Sequence, residues 1–330
     1  MIAALSLLLA LGAVQATDGA LTEARRLINE GQPVKAIERL EALGRGADAG
    51  TQAQIDLLLG VAYYHADNPA KTVELLTPIV DRLPADSIAR REAEQVLGLA
   101  AVVIGRFAEA VPRLEATRRW APDNLELAYA LAQAYIQTQK PDAARAAVAS
   151  IYGVPPDSAA AHLLAAQQMI RLELDAQAEM ELTKAIGGDP KLAGANLLLG
   201  QLALFRGRFP EAVALTLKEL AIAPGNGMAY SQLGDAYVRQ AKWDEAIAAL
   251  QKSIWLNPYY SAPYILLGRA YLKKAQPAVA EGMLRRAIAL DPNNRTAHYQ
   301  LAQLLQQTGR EEDARREFEI AERLRSPRER

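Results

Sequence analysis

The sequence predicts an all-α chain of about nine helix–turn–helix units stacked into an α-α superhelix, and three observations predict it. Six prolines, Pro122, Pro156, Pro190, Pro224, Pro258 and Pro292, stand 34 residues apart without a break, the mark of one supersecondary unit copied end to end. Inside a unit, two apolar stripes of helical spacing flank a polar turn. Small residues recur where the two helices would cross.

The stretch 227–260 shows all three. Tyr230, Leu233, Gly234 and Tyr237 form an i, i+3, i+4, i+7 stripe, and Ala246, Leu250 and Ile254 form a second one beyond the turn. Gly234 and Ala246 lack bulk, so the two axes can approach to the ~8–10 Å of close helix packing. Pro258 has no amide hydrogen and disfavours helix in Asn257, so the second helix ends there.

The pattern of aromatic, Leu-Gly, Tyr, Ala and Pro carried by Tyr230, Leu233-Gly234, Tyr237, Ala246 and Pro258 resembles the tetratricopeptide repeat, and Tyr264, Leu267-Gly268, Tyr271, Ala280, Leu284, Ala287 and Pro292 repeat it. The register gives units at 17–50, 53–86, 91–124, 125–158, 159–192, 193–226, 227–260, 261–294 and 295–328, read as one continuous repeat domain. Leu-Gly recurs at Leu59-Gly60, Leu97-Gly98 and Leu199-Gly200, while Ala36, Ala110, Ala144, Ala178, Ala212 and Ala314 hold the small position of the second helix. Pro33, Pro69, Pro141 and Pro277 share the start of the second helix, where a missing amide hydrogen is harmless. The resemblance implies a right-handed solenoid.

Some units depart from the pattern. The unit from 193 has Thr216 and Glu219 where packing residues are expected, which predicts a rotated second helix. The unit from 53 carries Thr72 at the small position and Pro78 inside its second helix, and the first unit ends at Asp48 instead of proline.

Composition sets bounds on function. Hydrophobic residues make up 51% of the 330, enough for a core buried between neighbouring repeats. A net charge of -1 offers no overall field for nucleic acid, and the absence of cysteine excludes disulfides and thiolate catalysis. At the N-terminus, an apolar run from Ile2 to Val14 followed by Val14-Gln15-Ala16 reads as a signal peptide over 1–16, cleaved after Ala16 to leave Thr17 first. That places the chain in the periplasm or outside the cell. The alternatives are a retained membrane anchor and a cytoplasmic chain whose first residues cap the first repeat. At the other end, Glu311 to Leu324 reads as a charged cap around Ala314, Phe318 and Ala321, and 325–330 as a disordered basic tail.

No catalytic grouping is recognisable, and neither cofactor nor metal is expected. His65, His162 and His298 lie far apart in sequence, and the last two occupy the packing position of Tyr230 and Tyr264. Gly44 to Gly50 lacks the Lys-Ser/Thr of a phosphate-binding loop and reads as a linker.

What the resemblance implies instead is a concave groove lined by the first helices, with positions 2, 5, 9, 12 and 13 of each unit facing inward. Position 9 gives Gln133, Gln167, Gln201, Asp235, Arg269 and Gln303; position 5 gives Tyr129, Leu163 and Leu197 among others; position 12 gives Ile136, Ile170 and Leu204. A glutamine amide both donates and accepts, so such a row suits the backbone of an extended, mostly neutral and apolar peptide or helix. Glutamine on a wet helix face and apolar packing between first helices account for the same residues without a ligand. Arg171, Arg239, Arg269 and Lys273 add a basic cluster on the same side. The reading is a non-catalytic protein-binding scaffold in envelope assembly or export. A cytoplasmic or membrane-anchored adaptor or co-chaperone, or the recruiting arm of an enzyme complex, are the alternatives; homo-oligomerisation through the groove is a further structural option.

Overall fold

The computed structural model describes residues 18–43 and 48–325, so the expected signal segment, the linker residues 44–47 and the tail beyond Arg325 lie outside the described residues. Helices and turns account for the described chain, with no strand among the described residues. It divides into two compact units that meet between Asp157 and Ser158.

The first unit holds four helical hairpins: α1 (18–29) with α2 (Pro33–Leu43), α3 (Ala49–His65) with α4 (Pro69–Val80), α5 (Ile88–Val103) with α6 (Phe107–Arg118), and α7 (Leu125–Gln137) with α8 (Pro141–Tyr152). The second holds five: α9 (Ala159–Arg171) with α10 (Asp175–Gly188), α11 (Ala195–Phe205) with α12 (Phe209–Ile222), α13 (Gly227–Arg239) with α14 (Trp243–Leu256), α15 (Ala262–Lys273) with α16 (Pro277–Leu290), and α17 (Arg295–Gln307) with α18 (Glu311–Arg323).

Local chemistry fixes the ends of these helices. Asp48, Ser87, Asn124, Ser158, Asn226 and Asn294 cap first helices, each accepting from an amide of the opening turn. Proline opens α4, α8 and α16, as its spacing predicts. Each first helix ends in the same way. One residue, Gly31, Asp67, Gly105 or Gln139 in the first unit and Glu173, Gly207, Ala241, Ala275 or Gly309 in the second, turns into the left-handed region. The amide after it then reaches back five residues, as Lys242 does to Tyr237 O (3.0 Å) and Gln276 to Tyr271 O (2.9 Å). This is the six-to-one bond of a Schellman motif, which satisfies carbonyls the helix leaves open.

Helix crossings use the small residues. Ala36, Ala110, Ala144, Ala178, Ala212, Ala246 and Ala280 are fully buried. A Cβ placed on Gly60, Gly98, Gly234 or Gly268 would lie 2.4–2.7 Å from Leu76, Leu114, Leu250 or Leu284. In every case glycine of the first helix receives a leucine of the second. Thr72, at the small position of α4, is also fully buried, and its hydroxyl donates to Gly60 O (2.9 Å).

Helix α12 departs from expectation: it is not rotated. It buries Ala212, Thr216 and Glu219, the same register that buries Ala246, Leu250 and Ser253 in α14. Polar partners are supplied instead of a turned face. Gln232 of α13 donates to Thr216 Oγ1 (2.8 Å) and Leu197 O (3.1 Å), and Gly194 N donates to Glu219 Oε1 (2.8 Å). The Gln232 amide fills the space that a leucine fills elsewhere, 2.4 Å from where a Cβ on Gly200 would be.

Neighbouring hairpins are joined by a recurring tyrosine. Tyr63 donates to Glu41 (2.6 Å) and Tyr135 to Glu115 (2.8 Å), while Gln251 donates to the hydroxyl of Tyr271 (2.9 Å). Burial together with the Glu115 bond pushes the Tyr135 hydroxyl up to about 12. Ion pairs add to these joints: Glu179 of α10 meets Arg206 and Arg208 beyond α11, and Glu281 of α16 meets Arg310 beyond α17. Glu179 is held below the usual carboxylate range, chiefly by its hydrogen bond from Arg208.

Candidate functional site

First helices are the more buried members of their hairpins, yet each keeps a stripe open to solvent. That solvent-facing stripe of first helices is the candidate surface. On the first unit it carries Tyr129 and Gln133, both exposed on α7. Ile136, one turn from Gln133, is only 4% exposed and belongs to the packing beneath them. Val102, which stands in α5 where Ile136 stands in α7, is buried in the same way, and so is Leu57, which stands in α3 where the exposed Tyr129 stands in α7. Tyr64 of α3 donates to Glu126 of α7 (3.1 Å), so it bridges two first helices. Desolvation, then the Glu126 charge, pushes its hydroxyl up to about 12.

On the second unit the stripe is more varied. Gln167, Gln201 and Gln303 are exposed and have no hydrogen-bond partner among the described residues. Asp235 is half-buried and accepts from Arg239 Nε (3.0 Å), while Arg269 is exposed. Leu163, Ile170, Leu197 and Leu204 are half-buried. Leu197 packs against Leu220, Ala229 and Leu233, and Leu204 against Ala203, Ala212 and Ala236, so each shows one edge to solvent over an apolar floor. Val238 and Ile265, which share their register, lie in the core.

First helices α11, α13, α15 and α17 pack side by side. Two rows of side chains therefore cross them: Gln201, Asp235, Arg269 and Gln303, and one turn later Phe205, Arg239, Lys273 and Gln307. Gln167 stands on α9 of the same unit, whereas Gln133 stands on the first unit and is described with it.

Phe205 is 88% exposed at the last residue of α11, where α13 has Arg239 and α15 has Lys273. Sequence reading identified the cations of that row and passed over the phenylalanine, although the register that found Arg239 also points to position 205. The Arg239 guanidinium lies 5.9 Å from the Phe209 ring centroid as well as on Asp235.

Two of the three histidines are held by carboxylates. His298 is buried, with Nδ1 2.6 Å from Glu317 and Nε2 3.0 Å from Pro292 O; His162 sits 2.7 Å from the buried Glu181; His65 is exposed against the edge of Tyr64. Among the described residues no group of His, Cys, Asp and Glu is placed to hold a metal ion, and no helix is long and apolar enough to cross a membrane. The surface offers amides, cations and apolar edges, which can hydrogen-bond, pair with charge and bury apolar side chains.

Family models described as tetratricopeptide repeat match residues 105–167, 229–258 and 265–328. No curated protein sequence matches the chain. Among solved structures, MamA from Desulfovibrio magneticus RS-1 is 21% identical over 51% of this chain and 95% of its own, with a TM-score of 0.47. The APC/C hetero-tetramer Cut9-Hcn1 is 17% identical over 87% of this chain and 55% of its own, with a TM-score of 0.47. YrrB, a TPR protein with an unusual peptide-binding site, is 19% identical over 51% and 87%, with a TM-score of 0.43. Phased glycines, buried alanines, recurrent turns and the three family matches point the same way: the chain carries tetratricopeptide repeats over the matched residues, and its other hairpins share their turns and crossing residues.

Proposed function

We propose that the protein is a non-catalytic scaffold that holds a peptide segment or helix of a partner protein against its first helices. Tetratricopeptide repeats typically form scaffolds of this kind, and proteins built from them bind protein partners. The observation that carries the reading here is the set of uncommitted amides, Gln167, Gln201 and Gln303, above half-buried Leu197 and Leu204. An amide side chain free of internal bonds can donate to and accept from an extended backbone, while apolar side chains of the ligand cover the leucine edges. We place this activity outside the cytoplasm, in envelope assembly or export, on the strength of the apolar run and small-residue site that precede Thr17.

The test is an array of short peptides of varied composition, probed with the intact chain and with a Gln167→Ala, Gln201→Ala, Gln303→Ala variant. The substituted residues are exposed, so the variant folds. Weaker retention by the variant supports the reading; an identical profile from both proteins removes the amides from the function. Sequencing the N-terminus of the native protein tests the setting, since an exported chain cleaved after Ala16 begins at Thr17.

A further inference from the structure

The first helices of the second unit are nearly free of carboxylates. α9, α11, α15 and α17 contain no Asp or Glu, and α13 contains only Asp235, which is taken up by Arg239. Their hairpin partners differ, because α10, α12, α14, α16 and α18 each carry at least one. Charge is thus sorted between the two helices of a hairpin.

Helix electrostatics does not produce this sorting. The macrodipole favours acidic residues in the first turn and basic residues in the last. Second helices α10, α12, α14 and α18 follow that rule with Asp175, Glu211, Asp244 and Glu311, whereas none of the five first helices has an acid in its first turn. The dipole accounts for Arg171, Arg239 and Lys273 in last turns, but not for Arg269 in the middle of α15. Arg269 and Lys273 stand four residues apart on one face, a like-charge spacing that weakens a helix. Both are exposed, and neither has a partner among the described residues.

We propose that this face takes an acidic segment of a partner protein, with its carboxylates on Arg269 and Lys273 and an apolar side chain a few residues away on Phe205. The inference rests on the scaffold reading above and gives its ligand a chemistry: apolar residues over α11, acidic residues over α15. A polypeptide fits this pairing because it places an apolar side chain and a carboxylate a few residues apart. A nucleic-acid strand would bring charge along its whole length to a face whose cations are concentrated on α13 and α15.

The same peptide array tests it, read at low and at near-physiological salt. Retained peptides should be enriched in Asp and Glu a few residues from an apolar residue, with the enrichment fading as salt rises. Arg269→Glu with Lys273→Glu should weaken the acidic peptides by at least about tenfold, and Arg269→Gln with Lys273→Gln by less. Arg286→Glu with Arg315→Glu, exposed cations on α16 and α18, should leave them unchanged. Retention of neutral apolar peptides with no acidic enrichment overturns the proposal and leaves the scaffold reading standing; no retention of any peptide overturns both. Equal losses from the α15 pair and the control pair, or tighter retention of a thymidine oligonucleotide than of any peptide, also overturn it.

Discussion

Gly234 offers a decisive test of how the hairpins are built, because adding one methyl group there has two opposed effects. In an isolated helix, Gly→Ala is favourable by about 0.8–1 kcal/mol. In this protein the new Cβ would lie 2.4 Å from Leu250 Cγ and 2.5 Å from its Cδ2. Leu250 is fully buried, so it can retreat only by displacing its own neighbours Leu267 and Ala270. Overpacking of that kind costs about 1–3 kcal/mol, so the net effect of Gly234→Ala is a loss of up to ~2 kcal/mol. Shortening the leucine should reverse the sign. In a Leu250→Ala background, itself destabilised by about 2–5 kcal/mol, Gly234→Ala places its methyl in the vacated space and should stabilise by about 1 kcal/mol. Urea unfolding followed by far-ultraviolet circular dichroism on the four proteins of this cycle gives the coupling directly. Equal effects of Gly234→Ala in both backgrounds would refute the claim that the crossing distance is set by this contact.

Ala241 and Ala275 hold left-handed conformations at φ of 55° and 57°, where an L-residue is strained by about 1–2 kcal/mol; each Ala→Gly change should raise the urea midpoint, by about 0.5–1 kcal/mol after the entropy of glycine is counted. Gln232→Ala should cost about 1–3 kcal/mol by emptying the space beneath Gly200 and stripping Thr216 of its donor, and Thr216→Leu in that background should recover part of the loss. The folded-state pKa of Tyr135 is raised to about 12 from an ordinary value near 10. Its contribution is therefore fully present below pH ~10 and is lost as pH climbs through about 12. Tyr135→Phe should lower stability at pH ~8 and flatten the alkaline decline, a comparison of melting temperatures at the two pH values being the measurement.

Much of the fold was legible because the signals for it are local and repeated. Pro33, Pro69, Pro141 and Pro277 begin second helices, and the alanines of the small position are buried, since both depend on steric rules that act within one hairpin. The left-handed turn residue was not legible. It is glycine at Gly31, Gly105, Gly207 and Gly309, but Asp67, Gln139, Glu173, Ala241 and Ala275 hold it elsewhere, and no single residue type marks it. The unrotated α12 was missed for another reason: Thr216 is satisfied by Gln232 from the following hairpin, a pairing that residue types at one position do not reveal. At the candidate surface, register placed Gln167, Gln201 and Gln303 in solvent. It did not separate Ile136, which is buried, from Leu204, which keeps an edge exposed, because both fit the same apolar stripe.

The Schellman turns have a consequence for how such a chain changes length. Every backbone bond that closes a hairpin corner joins residues five or fewer apart, so the turn itself forms without the hairpins before and after it. Duplicating or excising one whole 34-residue module in the second unit would break no corner, and the tyrosine and ion-pair joints would simply re-form with the newly adjacent module wherever its matching residues recur. Growth and shortening by complete modules are therefore open to this architecture, while insertion of a few residues within a helix is not.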